Sequence, residues 1–298
     1  MRSTLVSWGF ISRENKIKIS PGFQDAKNFC NGLAAVKQDN RYGYIDKKGN
    51  FVIKNIYNSA SDFSDDVALV EKNGVHGYID KTGSIVLPLV YNSADSFSNG
   101  LAAVGRRGAK SDMIIYGFIN KNGEIVIDYQ YEAVGRNSNN KISVQKNDKW
   151  GYVDSKGNQL VDYVFEYAGT FYKDVTRVKF KGKWGFINSE FEWVLRPTYD
   201  YTWGFQKQEE NLAAAKLGSR WGYVDKDGKE VLAFKYNVAY SFYEGLAAVG
   251  IQKSSNISYG FMNTSANMVI PALFSFCKHF SEDLCAVAMP SIGWRKFY

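Results

Sequence analysis

The 298 residues are 45% apolar and 16% aromatic, with 20 Tyr, 20 Phe, 7 Trp and 27 Gly against only 5 Pro. That bias toward rings and turn residues favours strands and excludes a disordered or Pro-rich linker protein. The net charge of +7 comes without a Lys/Arg run, so it leaves a general attraction to anionic partners and excludes a nucleic-acid arm.

No apolar stretch approaches the roughly 18 residues that a membrane helix needs, and Met1 to Gly9 holds no signal-type apolar core. Membrane insertion is therefore not expected, and a cytoplasmic location is the default. Cys30, Cys277 and Cys285 are odd in number and sit at unrelated repeat positions, which is no disulfide framework. Cys277 falls in the register of Ala26 and Cys285 in that of Ala34. Both are predicted to fill small buried sites.

Length alone would suggest two domains, but internal repetition overrides that prior and predicts one domain over 1–298. An aromatic–Gly pair recurs at Trp8-Gly9, Tyr42-Gly43, His76-Gly77, Tyr116-Gly117, Trp150-Gly151, Trp184-Gly185, Trp221-Gly222 and Tyr259-Gly260. Successive glycines lie 34, 34, 40, 34, 34, 37 and 38 residues apart. Ahead of most pairs stands a second signature, as in Gly32-Leu33-Ala34-Ala35-Val36 and Gly245-Leu246-Ala247-Ala248-Val249.

Each unit of about 34 residues is predicted to hold three short strands. Strand A is the Leu-Ala-Ala-Val segment, apolar on both faces and so expected to be covered on both. Strand B is the aromatic–Gly segment, as in Tyr42-Gly43-Tyr44-Ile45, its glycine marking close approach of another backbone or ring. A tight turn follows, such as Asp46-Lys47-Lys48-Gly49, with a leading Asp or Asn and a closing glycine at positive φ. Strand C is Phe51-Val52-Ile53 or Ile85-Val86-Leu87, and a connector with aromatics spaced about a small residue (Tyr57, Ala60, Phe63) leads, without strand, into the next unit.

Three-stranded units cannot bury both faces alone, so they must stack. A propeller-like closed ring is favoured over an open β-solenoid for two reasons. The Ala-Ala pair suits an inner strand near a crowded axis. The chain also begins on a strand B at Trp8 and finishes on a strand A at Leu284, which could share one sheet.

Trp150-Gly151-Tyr152-Val153-Asp154, Trp184-Gly185-Phe186-Ile187-Asn188 and Trp221-Gly222-Tyr223-Val224-Asp225 resemble the bacterial WG-repeat (KWG-repeat) family. The likeness runs from about Trp8 to Val287. It implies an interaction role and supplies no catalytic residues; four of the eight markers are not Trp, His76 departing furthest.

The recurring Asp46, Asp80, Asn120, Asp154, Asn188, Asp225 and Asn263 could be carboxylates for metal or acid–base work. Free exchange with Asn fits turn capping better. His76 and His279 have no visible nucleophilic or metal partners, so no enzyme and no cofactor is expected.

The repeats break their own rule at the A–B turn. It grows after Gly105-Arg106-Arg107 and after Gly250-Ile251-Gln252-Lys253, while a third insertion, Gln206 to Glu210, falls in a connector. Basic residues precede several markers: Arg41, Lys149, Lys183 and Arg220. With Arg106, Arg107, Lys110 and Lys253 they predict a positively charged rim. Trp193 and Trp203 stand outside the marker register and could be an exposed contact pair or patches in the core. The expected function is a non-catalytic scaffold that binds a protein partner through this edge. Polyanion, nucleic-acid or glycan binding is the alternative.

Overall fold

The structure, a computed structural model, describes residues 6–107, 113–205, 212–253 and 256–290. Among them every regular element is a strand. They form eight antiparallel sheets of four strands each, in the order connector–A–B–C. One sheet runs Ser59–Ala60, Ala68–Lys72, Val75–Ile79 and Ile85–Tyr91.

Each sheet thus has one strand more than the sequence reading gave, because the connector is itself a strand. It can be as short as two residues, with Ser59 and Ala60 paired to Glu71 and Val70, or as long as six, as in Asp25–Cys30. Strand A therefore lies inside its sheet, hydrogen-bonded on both edges. Its Ala-Ala pair reflects that enclosure and not a place on the innermost strand.

The ends meet as anticipated. Val6–Ser12 pairs along its whole length with Leu284–Pro290, Gly9 opposite Val287. That sheet, completed by Ile17–Phe23 and Phe276–Ser281, draws its strands from both ends of the chain. The architecture is an eight-bladed β-propeller, the closed alternative.

By contact density the chain separates into two compact units. One comprises Met1–Asn58, Gln206–Asp225 and Lys229–Tyr298; the other comprises Ser59–Phe205 and Lys226–Gly228. In the first, Phe10, Phe29, Ala34, Val36 and Ala286 make one core cluster, and Ile11, Phe261, Phe274, Phe280 and Val287 another. In the second, residues of successive sheets interleave: Tyr78 and Leu87 meet Phe97, Ala102 and Val104, and Tyr152 and Phe165 meet Phe171, Val178 and Ile187.

Both cysteine registers hold. Cys277 faces Val287 as Ala26 faces Val36, and Cys285 faces Phe280 as Ala34 faces Phe29. Burial pushes the Cys277 thiol up to about 12 and that of Cys285 well above its ordinary value. Neither is poised to react.

The marker glycine does its work within one sheet. Tyr42 pairs with Tyr57 and Tyr44 with Ile53, so one strand-B residue opposes three on strand C. The strand-C backbone bulges over that glycine. A Cβ on Gly43 would stand 2.5 Å from the Ile53 carbonyl and 2.6 Å from the Asn55 nitrogen. Gly117, Gly151, Gly185 and Gly260 are hemmed in likewise. The close neighbour predicted from sequence is therefore the bulged partner strand, not an adjacent layer.

The B–C turns are capped as the sequence suggests. Asp46 Oδ1 accepts from Lys48 N and Asn50 N at 2.9 Å, and Gly49 closes the turn at φ 89°. Those bonds, Asn50's first, hold the Asp46 carboxyl below its ordinary value. Asn120 Oδ1 accepts the same pair, Asn122 N and Glu124 N, at 3.0 Å. An amide serves as well as a carboxylate, which is why the two exchange.

Ala266 takes the glycine slot at φ 63°. An Ala266→Gly variant is expected to be more stable by about 1 kcal/mol, read from its urea midpoint. Phe191, at φ 66° in the equivalent slot, packs on Tyr152 and Phe171. Glycine there should destabilise instead.

Candidate functional site

At the A–B end most two-residue hairpins have both turn residues at positive φ, such as Asn147 (52°) with Asp148 (60°). These are the mirror-type turns that suit strand twist and select Asn, Asp and Gly. A side chain just after strand C clamps three of them. Glu132 accepts from Asn147 N at 2.9 Å and Asp148 N at 3.0 Å. Glu166 accepts from Gly182 N at 2.9 Å, and Gln24 from Asn40 N at 2.7 Å. A Glu132→Ala variant is expected to lose about 1–2 kcal/mol of local stability, seen as faster amide exchange at Asn147 and Asp148.

The predicted basic residues fall at this end of their sheets. Arg41, Lys149, Lys183 and Arg220 each open a strand B and are exposed. Arg106 and Arg107 close Ala102–Arg107 and are also exposed, Arg106 lying 4.3 Å over the Tyr129 ring. Lys253 closes Leu246–Lys253. Lys110 and the Gln206 to Glu210 insertion lie outside the described residues. The charge is more mixed than the sequence suggested, because clamping acids sit among the cations. Lys183 meets Asp200 at 2.6 Å and Lys179 meets Glu166 at 3.7 Å. Sequence inspection missed these acids; their recurrence at 132, 166 and 200, one repeat apart, was the available signal.

Trp193 and Trp203 do not form one exposed pair. Trp193 is half-buried against Phe165 and Phe180, at 6.3 and 6.0 Å between ring centres, and belongs to the core. Trp203 is half-buried in a different cluster. There five rings of the second unit form a ladder: Trp150, Tyr167, Trp184, Tyr201 and Trp203, at successive centroid distances of 5.7, 5.0, 5.2 and 5.2 Å.

The Arg177 guanidinium lies within the ladder, 4.8 Å from the Trp184 ring, 5.2 Å from Tyr167, 5.4 Å from Tyr201 and 5.8 Å from Trp203. Its Nη1 donates to the Thr202 carbonyl. Among the described residues no carboxylate reaches it. Arg177 occupies the second Ala position of strand A, where Ala35, Ala103, Ala214 and Ala248 stand in other sheets.

The neighbouring sheet breaks the same rule with Ser143. Ser143 Oγ and Asn137 Oδ1 are buried, and among the described residues neither has a partner. Gly135 makes the room: a Cβ there would collide with Ser143 Oγ and come within 3.3 Å of Thr170 Oγ1. Gly169 in turn packs against Thr176 Oγ1 and Arg177. Two adjacent sheets thus carry a polar, glycine-lined notch where most of their siblings carry alanine.

Fold and site together define a repeat propeller whose individual character lies in the exceptions to its repeat. A family model described as "WG containing repeat" matches eight times, at residues 8–42, 42–75, 77–108, 116–150, 150–184, 184–221, 221–251 and 259–289. The chain belongs to that family. No curated protein matches it in sequence. Among solved structures it is similar to a eukaryotic initiation factor, with TM-score 0.53, 10% identity, and 88% of this chain and 94% of that one covered. It is also similar to AztD of Citrobacter koseri, with TM-score 0.52, 8% identity and coverages of 95% and 98%. A third is the dihydro-heme d1 dehydrogenase NirN in complex with DHE, with TM-score 0.51, 8% identity and coverages of 90% and 73%. At such identities the likeness is one of fold.

Proposed function

We propose that the protein is a non-catalytic scaffold that captures a protein partner through the A–B end of its second unit. The observation that carries this reading is the hairpin of Ala102–Arg107 and Ile114–Ile119. It extends past the length of its neighbours with Arg106 and Arg107 on one strand and Met113, 60% exposed, on the approach to the other. An exposed aliphatic side chain beside two guanidinium groups, on a rigid hairpin, is the composition of an interface anchor. The clamped turns nearby keep that end ordered before binding, which lowers the entropic cost of association.

The test is affinity capture on the immobilised protein, comparing wild type with an Arg106→Glu/Arg107→Glu double variant. The expected outcome is about a tenfold or greater loss of the retained partner with unchanged thermal unfolding. Equal capture by both would reject the hairpin as the docking element.

Polyanion binding is the second reading, favoured by Arg41, Lys149 and Arg220, which are exposed and make no ion pair among the described residues. It requires retention that falls steeply with added salt, whereas the protein-partner reading requires retention that survives it.

A further inference from the structure

Arg177 sits where the repeat has no need of it. Its strand-A slot is filled by alanine in five other sheets, at Ala35, Ala103, Ala214, Ala248 and Ala286, and the pairing opposite is undisturbed: Arg177 faces Phe186 as Ala35 faces Tyr44. A cation drawn half out of water normally acquires a carboxylate. Here four aromatic rings surround it within 6 Å, and one backbone carbonyl accepts from it. The rings stabilise the positive charge through their faces, but they offer no acceptor in the guanidinium plane. Most of its five N–H donors therefore have no acceptor among the described residues.

We propose that Arg177 and its ring ladder form a binding site for a small organic carboxylate, distinct from the docking hairpin and independent of it. Three features select the ligand class. A guanidinium offers two parallel donors at carboxylate spacing. Among the described residues it is the single uncompensated cation of the cluster, since Lys179 on the same face is paired with Glu166; one positive charge suits a monoanion better than a phosphate dianion. Trp184, Tyr201 and Trp203 wall the group with apolar surface, which strengthens a charge-assisted bond and gives a ring-shaped ligand body something to pack on. The adjoining notch adds a hydroxyl, Ser143 Oγ, that has no partner among the described residues.

The test uses the purified full chain, with benzoate and D-glucuronate as probes, benzamide and D-glucose as neutral counterparts, and inorganic phosphate as the competing anion class. Three of the seven tryptophans line the site, so tryptophan emission reports occupancy and calorimetry reports affinity. The expected result is saturable binding of at least one carboxylate at millimolar concentration, with no binding of its neutral counterpart. Benzoate alone would mark a site for aromatic acids, and glucuronate alone a site for sugar acids.

Arg177→Lys keeps the charge but loses the two-pronged geometry, and should weaken binding about tenfold. Arg177→Ala should abolish it. The alanine variant restores the residue that the sibling sheets carry, so it should fold, and its unfolding temperature should stay level or rise. Binding by neither carboxylate, persistence of binding in Arg177→Ala, equal binding of the neutral compounds, or tighter binding of phosphate would each overturn the assignment. A marked drop in the unfolding temperature of Arg177→Ala, with no carboxylate bound by wild type, would make Arg177 a packing residue.

Discussion

A Gly43→Ala variant is expected to unfold about 3 kcal/mol more easily than wild type, with Gly22→Ala within about 0.5 kcal/mol as its control. One added methyl group has so large an effect because of what it meets. The new Cβ would lie 2.5 Å from Ile53 O, 2.6 Å from Asn55 N and 2.8 Å from Asn55 Cα, all backbone atoms of the bulged strand C. Side chains can turn aside, but that backbone is held by the pairings of Tyr57 with Tyr42 and Ile53 with Tyr44. Relief would require flattening the bulge, which shifts the register of the outer strand. Gly22 meets nothing within 4 Å. Urea unfolding followed by tryptophan emission separates the two variants. If both were equally mild, the bulge would not be the reason for the repeated glycine.

Mild acid is expected to weaken the protein through His279 by up to about 3 kcal/mol between pH 6.5 and pH 4. The imidazole stacks on Tyr243, with ring centres 3.7 Å apart and planes 16° from parallel, and Asn28 Nδ2 donates to its Nε2 at 2.8 Å. Burial first, and the Lys278 charge after it, hold it neutral and lower its pKa from 6.5 to about 4, against an opposing pull from Glu244. The unfolded chain takes up this proton near pH 6.5 and the folded chain only near pH 4. Unfolding is therefore favoured as pH falls through that window, and the full stability is present above it. The capped carboxyls Asp46, Asp80 and Asp154 have lowered values and titrate further into acid. A His279→Phe variant keeps a ring on Tyr243 and carries no proton. Its stability should be flat over the same window; an unchanged slope would acquit His279.

The sequence made some of this legible and hid the rest for physical reasons. The eightfold period, the capped turns and the shared terminal sheet were readable because each is written in residues with one dominant conformational use: Gly beside a ring, Asp or Asn before a positive-φ glycine, a strand at each end. The connector strand was not readable. Two residues such as Ser59 and Ala60 carry no alternation, and only their partners Glu71 and Val70 make them a strand. Trp193 was separable from a contact residue only once Phe165 and Phe180 were seen against it. Arg177 left a trace, since Val175-Thr176-Arg177-Val178 stands where Leu-Ala-Ala-Val belongs. Its ring neighbours Tyr167 and Tyr201 occupy a connector position filled elsewhere by Ser59, Ser93 and Ala133, so no motif announces them.

The sheet that joins Val6–Ser12 to Leu284–Pro290 unites strands almost a whole chain length apart. Closing so long a loop is the entropically dearest contact in the molecule and the one least able to nucleate. Folding should therefore propagate from sheet to sheet and finish there, like a clasp fastened after the necklace is strung. Until it fastens, the strand at Val6–Ser12 offers an unpaired edge of matching register to the final strand of any second molecule. High concentration during refolding should accordingly favour interlocked multimers over the monomeric form.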